Sequence, residues 1–393
     1  MRRPMRPRPA PEDMLTDALR LIRTDGVGPL TYRRLLARYA THEAALDALP
    51  RLAREGGRAT PPAIPTRAAI EQERAALDRF GGRFLLLGTL DYPPLLALLA
   101  DAPPILACLG DPALLAGRAV ALVGGRNATA NGERIAETLA AELAGAGIVV
   151  VSGLARGIDA AAHAGALAAG RTVAVVAGGL DCPYPPEHAD LQRRIAEAGA
   201  VLAESPLGTT PQARHFPRRN RIIAGLALGV VVVEAALRSG SLITARLAQE
   251  AGREVFAVPG SPLDPRARGS NDLIRQGAQL TETAADILDN LPDHPDREGL
   301  ARAPLFARPR VPAPRAGCVP DPADPPGDPP PEILADARSR LVAMLGPAPT
   351  AVDDLLRRCQ LPPAAALAAL LELEIAGRIE TLPGQRVALL AGP

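Results

Sequence analysis

A chain of 393 residues that is 47% hydrophobic but only 2% aromatic has enough apolar material for two or three domains, with cores of Ala, Val, Leu and Ile rather than rings. A net charge of +1 argues against a surface that is basic throughout, so any nucleic-acid role has to rest on local charge. There is no lysine, so all 44 basic side chains other than histidine are arginines; this excludes a P-loop phosphate site, whose lysine reaches the phosphates.

Residues 1–11 read as a disordered Pro/Arg arm. They carry charge but no apolar stretch, so they do not form a signal peptide. Residues 12–78 read as a small helical domain, with helices at "MLTDALRLIR", "GVGPLTYRRLLARY" and "EAALDAL". The "DGVGP" turn resembles a helix-hairpin-helix bend, where helix N-terminal amides meet a phosphate; a plain interhelical turn fits the same residues.

Residues 79–290 read as the main domain. A Pro-punctuated lead-in occupies 80–115. Six apolar, β-branched runs follow: "AVALVGG", "IVVVSGLA", "TVAVVAGG", "AVLAES", "GVVVVEA" and "EVFAVPG". Apolar throughout and separated by helical stretches, they predict an α/β fold with a parallel, doubly wound sheet and helices on both faces. The longest apolar run, between Arg221 and Glu234, is too short to span a bilayer. Cys108, Cys182, Cys318 and Cys359 are far apart, which disfavours zinc or disulfide frameworks and fits a reducing compartment. The expectation is a soluble cytoplasmic protein with no membrane contact.

Residues 291–331 read as a stiff, solvated Pro-rich linker. Residues 332–393 read as three helices and a hairpin, the winged-helix pattern. The third helix is mostly Ala, Leu and Glu, which favours contact with protein, or weak contact with DNA, over sequence reading.

Ligands of open parallel sheets sit outside the carboxyl ends of the strands. There the sequence places Gly124–Gly125–Arg126–Asn127, then Ser152–Gly153 and Arg156–Gly157, Gly178–Gly179, and Ser239–Gly240–Ser241. Such turns let backbone approach an anion closely. No G-x-G-x-x-G appears and no acid is placed to hold a ribose, so no dinucleotide cofactor is expected. Arg126, Arg156, Arg171 and the cluster Arg214, Arg218, Arg219, Arg221 add guanidinium forks that match phosphate oxygens. So many arginines suit a run of phosphates, a polynucleotide backbone, better than one nucleotide. Arg221 is the cluster member best suited to a structural role. Phe216 stands inside the cluster, able to stack on an unpaired base or to plug the core. Glu204, Glu234, Asp159 and Asp181 allow an alternative, a metal-dependent nucleotide or nucleic-acid hydrolase. Framework roles compete: Asp159 capping its helix or pairing with His163, and the glutamates holding arginine or backbone amides.

"SGLARGIDAAAHAGAL", "GGLDCPYPPEHADL", "FPRRNRIIAGLALGVVVVEA", "SGSLITARLAQEAGREVFAVPG" and "GSNDLIRQGA", in this order across about residues 80–290, resemble the DNA-processing protein A (DprA, or Smf) family. The resemblance implies an extended Rossmann-like domain that binds single-stranded DNA as a homodimer, without established catalytic chemistry or cofactor. It implies a partner, the RecA recombinase, loaded onto incoming DNA in natural transformation. Carried over motif by motif, phosphate contacts fall on Ser152, Gly153, Arg156 and Gly157, and Arg126, Arg218, Arg219 and Asn220 line the groove. Arg171 stands where the family commonly has lysine, and "VGGR" lacks the family's usual small hydroxyl residue before the arginine.

Overall fold

The computed structural model describes residues 11–292, 330–382 and 386–390. The expected arm and linker lie outside the described residues except at their edges, where one helix starts at Pro11 and another at Pro331. The chain divides into two compact units, Met1–Glu71 with Phe306–Pro393, and Gln72–Leu305. Among the described residues no helix is long and apolar enough to cross a membrane.

In chain order the first helices are α1 (Pro11–Ile22), α2 (Pro29–Tyr39) and α3 (His42–Glu55). Thr41 caps α3, its hydroxyl accepting from Ala44 N, and Pro29 opens α2 at the first helical position, where no amide is needed. Tyr32, Leu35, Leu49 and Leu52 are buried beneath them. Helix α4 (Arg67–Arg79) follows.

The second unit carries β1 (Arg83–Leu86), α5 (Pro94–Ala97), β2 (Ile105–Gly110), β3 (Ala119–Val123), α6 (Ala130–Gly145), β4 (Val149–Ser152), α7 (Ile158–Leu167), β5 (Thr172–Val176), α8 (Ala189–Ala198), β6 (Ala200–Ala203), α9 (His215–Leu226), β7 (Gly229–Val232), α10 (Gly240–Glu250), β8 (Glu254–Ala257), α11 (Arg268–Arg275), β9 (Gln279–Leu280) and α12 (Ala284–Leu288). The strands form one sheet in the order β1-β2-β6-β5-β4-β3-β7-β8-β9. From β6 to β9 neighbours run parallel. β1 and β2 are antiparallel additions at one edge. They lie in the stretch expected to be a mere lead-in; its prolines bound the strands rather than interrupt them.

Strand β3 shows why the runs are apolar throughout. Val120 and Leu122 pack with Leu139 and Ala140 of α6 and Ile158 and Ala162 of α7. Ala121 and Val123 pack with Ile222, Ile223 and Leu226 of α9 and Ala245 and Ala248 of α10. Each Val, Leu or Ile buried in this way contributes roughly 1.5–3 kcal/mol. The chain moves outward one way from β3 through β4, β5 and β6, then returns to the other side of β3 as β7. The switch point where a ligand crevice opens is therefore between β3 and β7.

The C-terminal part holds α13 (Pro331–Met344), β10 (Thr350–Ala351), α14 (Val352–Cys359), α15 (Pro363–Ile375), β11 (Ile379–Leu382) and β12 (Arg386–Leu389). The three strands form an antiparallel sheet in the order β10-β12-β11. Ala337, Leu341, Leu355, Leu370, Leu373, Ile379 and Val387 share one core beneath it. Three helices with a wing on the last hairpin are a winged helix.

Candidate nucleic-acid interface

The turns after β3 and β7 are tied together at the switch point: Gly125 N donates to Glu234 O at 2.7 Å. The Glu234 carboxylate accepts from Thr129 N at 3.1 Å and from Thr129 Oγ1 at 2.6 Å. That hydroxyl in turn accepts from Gly132 N and caps α6. The turn after β4 fits beneath. Gly157 has φ of 71°, and a Cβ there would stand 2.5 Å from Gly125 O. Both backbone conformation and space demand glycine at this position.

Helix α9 brings the arginine cluster to this rim. Pro217 sits in its first turn, where the missing amide costs nothing. Ile222, Ile223 and Leu226 anchor its far half in the core. Arg214 and Arg218 point to solvent, and neither has a carboxylate partner among the described residues. Arg219 is different. It lies three, four and seven residues before Ile222, Ile223 and Leu226, so it falls on the buried stripe and is only 7% exposed. Its guanidinium rests on Gly153, where a Cβ would lie 1.5 Å from Nη1. Its Nε is buried without a partner. Burial pushes its pKa down to about 10, against the attraction of Asp159 and with the repulsion of Arg126. Burial likewise pushes Asp159 up, opposed first by Arg219.

Two cavities meet at this guanidinium and share Arg126, Ala155, Phe216 and Arg219 in their walls. One, of about 300 Å³, lies at the switch point between Gly124 and the Ser239–Gly240–Ser241 start of α10. Ser239 Oγ caps that helix by accepting from Ser241 N, and Asn220 Nδ2 donates to Gly240 O at 3.4 Å. The other, of about 400 Å³, lies between Arg126 and Tyr184. Phe216 stands between them, half-buried, so it is neither a core plug nor a free ring. The Arg126 guanidinium lies over its face, 4.8 Å from the ring centroid. Tyr184 meets it with centroids 5.4 Å apart at 60° and is itself 46% exposed. Exposed guanidinium, ring and ring make one ledge. Tyr184 carries no role in the sequence reading; the scarcity of aromatics that draws attention to Phe216 applies equally to it.

Several expected contacts are placed otherwise. Ser152 is fully buried and its hydroxyl donates to Leu122 O at 2.6 Å, because it closes β4 rather than facing the rim. Gly153 is buried under Arg219, not open to a ligand. Arg156 is exposed but paired with Glu187, which it helps hold below the usual carboxylate range, after the hydrogen bond from that residue's own backbone. Arg171 precedes β5, and the sheet is parallel there, so it stands at the opposite edge from Arg126. Arg221 is half of a framework pair, donating to Glu204 and to Asp101 O. His163 bonds Thr172 Oγ1 at 2.7 Å rather than Asp159, while Asp159 accepts from Ala155 N at the start of α7.

The rim acids do not converge. Glu204 holds Arg221, Glu234 holds Thr129, and Asp181 accepts from Gly208 N at 2.8 Å. Among the described residues no three His, Cys, Asp or Glu side chains are grouped to hold a metal ion.

Comparison with known proteins matches these parts to three family models: DNA recombination-mediator protein A over residues 83–292, the DprA-like N-terminal HHH domain over 12–76, and the DprA winged helix domain over 324–385. The chain is 39% identical over 332 residues to Protein Smf of Escherichia coli, covering 82% of each chain. It is 46% identical over 221 residues to DNA processing protein DprA of Bacillus subtilis, covering 56% of this chain and 74% of that one. The X-ray structure of DprA from Streptococcus pneumoniae superposes with a TM-score of 0.56 at 36% identity, over 67% of this chain and 94% of that one. With family models matched over all three parts and a relative 39% identical over 82% of its length, the chain belongs to the DNA recombination-mediator protein A family.

Proposed function

We propose that the rim of the sheet binds single-stranded DNA and that the protein hands the strand to the RecA recombinase, acting as a cytoplasmic homodimer on DNA taken up in natural transformation. The observation that carries the strand reading is the ledge of Arg126, Phe216 and Tyr184 beside the buried guanidinium of Arg219. Exposed rings stack on bases only when those bases are unpaired, which selects single strands over duplex. A buried guanidinium whose Nε lacks a partner among the described residues has an unmet demand for an anion, and a phosphate group meets a guanidinium with two parallel N–H···O bonds to two of its oxygens. Arg214 and Arg218, open and without carboxylate partners among the described residues, extend the positive track beyond the ledge. Arg126, Arg156, Gly157, Phe216, Arg218, Arg219 and Asn220 line this path; Ser152 and Gly153 support it from below, and Arg171 stands apart from it.

The hydrolase alternative finds no support in the framework bonds of Glu204 and Glu234. The strand reading is tested by anisotropy of labelled oligo-dT in EDTA at several salt concentrations, with duplex as competitor. Binding without metal, weakening with salt and resisting duplex, is expected; equal displacement by duplex refutes it. The RecA step is tested by filament nucleation on strands precoated with single-strand-binding protein, with and without this protein.

A further inference from the structure

The third helix of a winged helix is the one that ordinarily enters the major groove. In this chain that helix, α15, is buried on two sides. Ala366, Ala369, Leu370 and Leu373 fill the core of its own domain. Ala365, Ala368, Leu371, Glu372 and Ile375 are buried as well, although none belongs to that core. The N-terminal helices supply the cover, with α15 packing on α3 and α2.

The contact is close and complementary in charge. Gly56, just after α3, faces the backbone of Glu372: a Cβ there would stand 2.0 Å from Glu372 O. Arg34 of α2 donates to Glu374 at 3.1 Å and to Thr381 Oγ1 of the wing at 3.3 Å. The backbone of Gly26, in the helix-hairpin-helix-like turn, lies against the end of the same helix, with a Cβ position 3.5 Å from Ile375 O. Glu374 at this contact repels a phosphate backbone but suits Arg34, while Glu372, two positions earlier and on the other side of the helix, accepts from Arg338 of its own domain.

We propose that the winged-helix domain is a protein-docking module whose third helix is committed to the chain's own N-terminal helical domain, and not a reader of duplex DNA. The two appended domains then act as one body, and the surface that a DNA-binding relative of this fold would present is used internally.

Gly56 offers a clean probe. Its φ of −71° suits any L-residue, so the main cost of Gly56→Ala is the collision with Glu372. In the full chain, Gly56→Ala is expected to speed amide exchange over residues 370–376 by at least about tenfold, because docking protects those amides. Arg34→Glu, a milder break at a partly exposed site, is expected to do the same, and adding Glu374→Arg to restore protection. Duplex affinity is expected to stay unchanged in every variant. Exchange unaltered by both single changes overturns the docking. Duplex affinity that rises when the helix is freed overturns it in the other direction, revealing a masked groove reader.

Discussion

Arg219 and Gly153 share one space: the guanidinium of the first occupies the volume that a side chain on the second would need, with Nη1 1.5 Å from the position of a Cβ. The glycine after β4 thus matters for what rests on it, not for what it touches in solution. Gly153→Ala is expected to push Arg219 off its seat. Overpacking of this kind costs about 1–3 kcal/mol of stability. Strand affinity should fall by about tenfold or more as a charge-assisted phosphate contact is misplaced. Urea unfolding and oligo-dT anisotropy measure the two losses; a variant that loses stability but binds normally removes Arg219 from the interface.

Much of this rim is legible in the sequence, because parallel strands put everything that follows each apolar run on one edge. That rule alone puts Arg126 and the Ser239–Gly240–Ser241 turn at the carboxyl ends of their strands, where the structure has them. Arg171 precedes its strand and so stands at the other end of the sheet; a charged residue near a strand reads alike from either end until direction is counted. Charge alone puts Arg219 in an open groove, whereas helix phase decides its place: it shares a stripe with Ile222, Ile223 and Leu226. Tyr184 meets Phe216 only through the tertiary fold, from a Pro-rich turn 32 positions away, and no local pattern signals that encounter. The antiparallel pair β1 and β2 is masked in the sequence because edge strands tolerate flanking prolines.

The ledge makes its own prediction. Phe216→Ala and Tyr184→Ala are each expected to weaken oligo-dT binding by about 1–3 kcal/mol, the loss of one base–aromatic stack. Because the rings touch, the double variant should lose less than the sum. Tyr184→Ala, at an exposed site, should leave the melting temperature nearly unchanged. Full additivity in the double-mutant cycle would mean that the two rings serve separate bases.

Arg218 and Arg171 form a matched pair of exposed arginines at opposite edges of the sheet. Arg218→Ala is expected to lower affinity and to flatten the slope of log K against log salt by roughly 0.7, the value for one phosphate on a single strand. Arg171→Ala is expected to change neither. An equal effect of the two would require the strand to wrap around the domain rather than follow the rim.

His163 gives the fold an acid-sensitive point independent of DNA. Thr172 Oγ1 donates to Val150 O, so it receives the proton of His163 Nδ1. Nε2 is left bare, buried and without a partner. Placing a proton there would charge a fully buried ring, and burial, reinforced by Arg219 and His188, lowers the pKa to about 3. The unfolded chain titrates this group near 6.5. Below that pH the unfolded state takes up a proton that the folded state refuses. The stabilisation is therefore complete above pH 6.5 and is lost as pH falls toward 3, by up to about 1.4 kcal/mol per pH unit. His163→Gln should be less stable than the parent at pH 8, since it disturbs a buried hydrogen bond. The gap should narrow by about 2–3 kcal/mol by pH 4.5, because the variant has no proton to refuse while every other group titrates alike in both. Urea unfolding of the two proteins from pH 8 to 4.5 reads the difference directly, and parallel curves would mean that the imidazole takes up its proton as readily in the folded protein as in the unfolded chain.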